Sequence, residues 1–229
     1  MFSIEKIQEA LDIVLTQFPL ALWETIYVTL IATLFATIIG LPLGVLLVIG
    51  KKDGIKPLPN WLNNFIDLFI NILRSIPFLI LMILVFPLTR TIVGTTVGTV
   101  ASIVPLVIAS FPFIARLVES SLKEVDPNVI EMAQSIGATP LQIVSKVMLP
   151  EAFPSLLQNL TIATTTILGY SAMSGIIGGG GLGKIAINYG YYRYKYLIML
   201  FAVIVLVLLV QVFQSIGSLL ATKSDKRLK

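Results

Sequence analysis

The five longest stretches of this chain without a charged residue are residues 25–50, 75–89, 91–115, 152–183 and 196–222. A bilayer span needs about 20 mostly apolar residues, and four of the five runs reach that length alone. The shorter second run reaches it by extending back to Phe65, which admits Asp67 and Arg74 into the helix. Charged residues make up 12% of the chain, against roughly 25% in an average soluble domain. The apolar residues lie in long runs rather than short alternations, which argues against a large water-soluble core. The expected fold class is all-α integral membrane, a single domain over 1–229. Its five spans are placed near 23–49, 62–88, 92–117, 153–176 and 196–220.

Segment 3–20 reads differently. Ile4, Ile7, Leu11, Val14 and Phe18 recur at helical spacing, with Glu5, Lys6, Glu9 and Asp12 elsewhere. That pattern predicts an N-terminal amphipathic helix lying at the membrane interface. No basic n-region followed by a short apolar core and a small-residue cleavage site opens the sequence, so the first span is expected to stay as an anchor.

The net charge of +4 does not point to nucleic acid, because the cations sit between the apolar runs and after the last one. Lys51, Lys52, Lys56, Arg116, Lys123, Lys146, Lys223, Lys226, Arg227 and Lys229 fall on one side of the expected bundle. Lys6, Arg90, Lys184, Arg193 and Lys195 fall on the other. The richer side is expected to be cytoplasmic, with the N-terminus outside and the C-terminus inside. The chain has no histidine and no cysteine. Disulfides, thiolate chemistry, imidazole bases and the common zinc ligand sets are thereby excluded.

The inner loop over 118–151 is long enough to fold by itself. Asp126 and Pro127 read as an N-cap followed by proline at the first helical position. Val129, Ile130, Ala133 and Ile136 form an apolar stripe, and Gly137 suits the left-handed turn that ends a helix. Thr139 and Gln142 are spaced as a capping box for a second helix. Leu141, Val144 and Met148 give that helix an apolar face, and Pro150 is expected to stop it. The unit should lie flat on the cytoplasmic side with Asn128, Glu131, Gln134 and Ser135 facing outward. The residues alone leave two readings open, an interfacial connector or a surface that engages another protein.

Glu131-Met132-Ala133, then Gly137, then Val147-Met148-Leu149-Pro150 resemble the EAA loop of binding-protein-dependent ABC importers. The family pattern is Glu-Ala-Ala, three residues, Gly, nine residues, Ile-x-Leu-Pro; Met132 replaces an alanine here and Val147 the isoleucine. Residues 22–25, 71–78, 103–108 and 169–173 look like the methionine importer permeases of that family, and the similarity runs from about residue 20 to 217. The resemblance implies an importer permease in a bacterial cell membrane, working as a homodimer with two ATP-binding subunits and an external substrate-binding protein. It implies ATP and Mg²⁺ on the partner ATPase and none on this chain, which would not be an enzyme. It also implies a coupling helix over 128–137, with Glu131 and Ala133 on its working surface, Gly137 as hinge, and Leu149 and Pro150 at the loop's end. Another amino acid as substrate, or a secondary transporter or channel, remain the alternatives.

Gly178 to Lys184 nearly satisfies the phosphate-loop pattern, but Ile185 stands where a Ser or Thr would bind Mg²⁺, and no buried strand is expected before it. The better reading is a tight backbone turn at the outer end of the fourth span. Asp67, Asn71 and Arg74 share one helix face, and an Asp67–Arg74 pair near the cytoplasmic interface is expected. In the fourth span Thr161, Thr165 and Gly169 lie on one stripe, and Thr164, Ser171 and Gly175 near another. Such spacing serves close helix packing or a weakly polar pathway wall. Thr165, Tyr170, Ser171 and Met173 are the candidate pathway or gate residues.

Overall fold

The computed structural model of the chain describes residues 4–225, with side chains described at residue 8 and from residue 10 onward. Among the described residues the regular structure is entirely helical. Helix α1 (Ile4–Ile49) is followed by α2 (Asn60–Ser75), α3 (Phe78–Leu84), α4 (Phe86–Val93) and α5 (Ile103–Lys123). Helix α6 (Pro127–Ser135), α7 (Pro140–Ile143) and α8 (Leu149–Glu151) form the long loop. Then come α9 (Phe153–Ser174), α10 (Gly181–Ile185) and α11 (Tyr196–Ser224). Among the described residues four helices are long and apolar enough to cross a membrane, and the interrupted pair α2–α3 would make a fifth.

The fourth and fifth expected spans coincide closely with α9 and α11; the first three do not. Segment 3–20, where described, is no separate interfacial helix, because α1 runs on without a break for 46 residues. The side chains of Ile4 and Ile7 lie outside the described residues, and from residue 10 onward one face of the segment packs on protein. Ala10, Ile13, Phe18 and Ala21 are buried against Leu182, Ile185, Ile198 and Ala202, while Leu11, placed on the expected stripe, is exposed. At 1.5 Å per residue α1 is about 70 Å long, far more than a hydrocarbon layer of about 30 Å.

The second span is interrupted at Ile76 and Pro77. Pro77 excludes the helical region for the residue before it, and Ile76 is extended at φ −79°, ψ 125°. The third span starts at Ile103, not 92. Gly94 ends α4 at φ 85°, and residues 94–102 form turns. The run of uncharged residues there marks apolar composition, and glycine and threonine at 94–99 prevent it from becoming helix.

The chain divides into two compact units. The first holds Met1–Leu34, Pro77–Ile108 and Thr164–Phe213, and the second holds Phe35–Ile76, Ala109–Ala163 and Gln214–Lys229. The first unit is built on the α1–α10–α11 cluster just described. In the second, Leu47, Ile70 and Ala115 form a small core between α1, α2 and α5. Helix α11 presents Leu200, Val203, Ile204, Val207 and Leu208 outward; a helix apolar all round is suited to lipid.

Candidate functional site

The loop of the second unit folds as its residues dictate. Asp126 accepts at 2.9 Å from the Asn128 backbone N–H and again from the Asn128 amide, capping α6, and Pro127 takes the position where a missing N–H is harmless. The Gly137 N–H donates to Gln134 and the Ala138 N–H to Ala133, closing the helix end with Gly137 at φ +79°. A Cβ there would meet nothing within 4 Å, so backbone conformation alone selects glycine. The capping box is complete: the Thr139 N–H donates to Gln142 Oε1 at 2.9 Å and the Gln142 N–H to Thr139 Oγ1 at 3.4 Å.

Three expectations within the loop need correction. Ala133 is 4% exposed, so it faces its own chain rather than a working surface. Its small side chain lets α6 settle against residues 144–148, where Val144 and Met148 are also buried. Ile136 and Leu141, assigned to inward faces, are 80% and 77% exposed, and Met132 stands out beside them at 62%. Pro150 does not end the helix. Residues Val144–Met148 widen into a π-helix in which the Leu149 N–H donates to Val144, five residues back. The wider turn relieves the clash a proline ring makes with the carbonyl four residues earlier, and the chain continues through α8.

The tip of the loop therefore offers three large apolar side chains, ringed by exposed Asn128, Glu131, Gln134 and Ser135. Leu149 is half-buried. Pro150 is exposed and lines a cleft of about 740 Å³ with Glu124, Glu151 and Asp225.

A charge cluster anchors the same unit, and sequence reading did not assemble it. Glu119, 4% exposed, receives Arg116 at 2.7 Å, Lys123 at 2.7 Å and Lys51 at 3.0 Å. A buried carboxylate surrounded by donors is tolerable where a lone one is not. The hydrogen bond to Glu119 holds the Lys51 ammonium above the usual lysine range. The expected Asp67–Arg74 pair is absent: Asp67 bonds Arg116 at 2.8 Å and Arg74 is exposed. Seven residues along a helix separate two side chains by about 10 Å, whereas Arg116 approaches from α5. The spacings Arg116 to Glu119 and Glu119 to Lys123 were the available signal.

The remaining candidates belong to the first unit. The Tyr170 ring stacks on Phe78 with centroids 4.5 Å apart and planes 7° from parallel. Ser171 is buried and its hydroxyl donates to the Leu168 carbonyl at 2.8 Å, a bond within the helix. Thr165 is half-buried, and Met173 is 41% exposed. Gly169 and Met173, four residues apart, lie on one open face of α9. Within the second unit, Thr161 presses on Gly217 of α11 so closely that a Cβ has no room, which supports the packing reading at that end.

Residues 40–229 match the family described as binding-protein-dependent transport system inner membrane component. The chain belongs to that family. The permease is 50% identical over 127 residues to a probable D-methionine transport system permease protein of Vibrio cholerae, the match covering 56% of each chain. Over the same length it is 41% identical to the methionine import system permease protein of Bacillus subtilis, covering 56% of the permease and 57% of that relative. The matched segment thus spans little more than half of these curated relatives. Among solved structures, a chain from inward-facing conformations of the MetNI methionine ABC transporter superposes with a TM-score of 0.88 at 43% identity. That match covers 90% of the permease and 95% of the solved chain.

Proposed function

We propose that this permease is the membrane subunit of an ATP-driven methionine importer, working as a homodimer on two ATPase subunits and receiving substrate from an external binding protein. The observation that carries the coupling role is the capped helix α6 with its glycine turn, which holds Met132, Ile136 and Leu141 in the open. Surface-exposed apolar groups in a rigid frame suit a partner's groove better than water. Closure of the ATPase dimer around ATP would draw the paired α6 elements together and open the pathway outward; hydrolysis would reverse it. The chain's own work is mechanical, with nucleotide and Mg²⁺ on the partner. The cation distribution supports an outside N-terminus and a cytoplasmic loop. The methionine assignment rests on what the relatives are named for.

The test is uptake into liposomes holding the permease with its ATPase, supplied with binding protein outside. ATP-dependent uptake in which methionine competes best among amino acids is expected. Uptake that needs no ATPase would indicate a secondary transporter, and stronger competition by another amino acid would correct the substrate alone.

A further inference from the structure

The glycine-rich segment after α9, which only imitates a nucleotide loop, is held by side chains from the far end of the sequence. Glu24 of α1 accepts two hydrogen bonds with its two oxygens: from the Gly181 N–H at 2.7 Å and from the Thr99 hydroxyl at 2.9 Å. Thr25, 3% exposed, accepts from the Leu182 N–H at 3.0 Å and donates to the Ala21 carbonyl. The first turn of α10 thus has two of its orphan N–H groups satisfied by α1 rather than by its own cap. The two loops are also joined to each other, the Gly98 N–H donating to the Gly178 carbonyl at 2.9 Å. Gly181 stands at φ +78°, and the 178–183 segment folds back on the end of α9, the Gly179 N–H donating to the Ser174 carbonyl.

We infer that Glu24 is a positioning residue, the centre of a clasp that ties α1 to both loops in the inward-facing state and releases when the pathway opens outward. This rests on the importer reading above. Three features support it. The bonds at Gly181 and Leu182 come from residues 157 positions away, so they report tertiary closure rather than local folding. The carboxylate has two donors, and charge-assisted bonds of this kind are strong yet lost together once the donors move. The chain superposes on a permease from inward-facing conformations of the MetNI methionine ABC transporter, the state in which such a clasp would be shut. Helix α9 carries Tyr170 and Met173 just before the clasped segment, so the clasp fixes the end of the helix nearest the candidate gate.

Cysteine pairs test it cleanly, since the parent chain has no cysteine. A Cβ built at Gly181 lies 3.5 Å from Thr25 Cβ, inside the range of about 3.5–4.5 Å found in disulfides. In the assembled transporter carrying Thr25→Cys and Gly181→Cys, a side chain at φ +78° lowers the reduced rate, and the uptake that remains should be lost on oxidation and regained on reduction. Either single variant should be indifferent to oxidant. A fully cross-linked transporter that still imports at the reduced rate overturns the clasp. Should the reduced pair be inactive, Glu24→Gln decides. With one acceptor lost, hydrolysis of ATP without binding protein should rise roughly tenfold as the inward state loses weight; unchanged hydrolysis and uptake overturn the proposal. If the parent complex shows no ATP-dependent uptake, the importer reading fails instead.

Discussion

The guanidinium of Arg116 donates at 2.8 Å to the carboxylate of Asp67, a residue 49 positions earlier, while the cation on Asp67's own helix, Arg74, stays exposed. Arg116 is the link of the second unit's polar cluster, for it also donates to Glu119 and to the side-chain oxygen Oδ1 of Asn71. Replacing it with leucine leaves Glu119 to two lysines and Asp67 without its cation. The expected cost is about 1–3 kcal/mol, reduced on the Asp67 side by that residue's partial exposure. Thermal unfolding in detergent should show a clear drop for Arg116→Leu and almost none for Arg74→Ala. Equal drops would mean that Arg74 has a partner after all.

Gly137 is constrained by its backbone alone, and this yields a graded series. Asparagine tolerates the left-handed region, so Gly137→Asn should retain coupling, whereas Gly137→Val carries strain of about 1–3 kcal/mol. The valine variant should insert in the membrane but lose ATPase co-purification and uptake. A valine variant active in both assays would show that α6 is merely a connector.

Met132, Ile136 and Leu141 touch little of their own chain. Changing all three to serine should alter the permease's own melting by no more than about 0.5 kcal/mol per site, yet abolish co-purification of the ATPase. Ala133→Trp acts differently. It should unseat α6 from within, lowering thermal stability along with coupling, and a stable Ala133→Trp variant would contradict the buried position.

Lys184 is exposed, and the Gly181 N–H that a phosphate would need already serves Glu24. Lys184→Ala should therefore leave ATP hydrolysis by the assembled transporter close to the parent rate. Loss of nucleotide binding, with assembly intact, would restore the phosphate-loop reading.

The sequence by itself determined the membrane class, α9 and α11, and the helix caps of the loop between α5 and α9. Asp126, Gly137 and the Thr139–Gln142 box act through hydrogen bonds and φ angles within a few residues, so local chemistry sufficed for them. The EAA spacing added the family. What only the tertiary structure decided was every question of facing and partnership: Ala133 inward and Ile136 outward, Asp67 with Arg116 rather than Arg74, residues 10–21 of α1 packed on α10 and α11, and Glu24 on a glycine segment 157 residues away. Periodicity reports which residues share a stripe, and it is silent on whether protein, lipid or a partner lies opposite. A polar group within an apolar run takes the nearest donor or acceptor in space, and that distance is set by how distant helices pack.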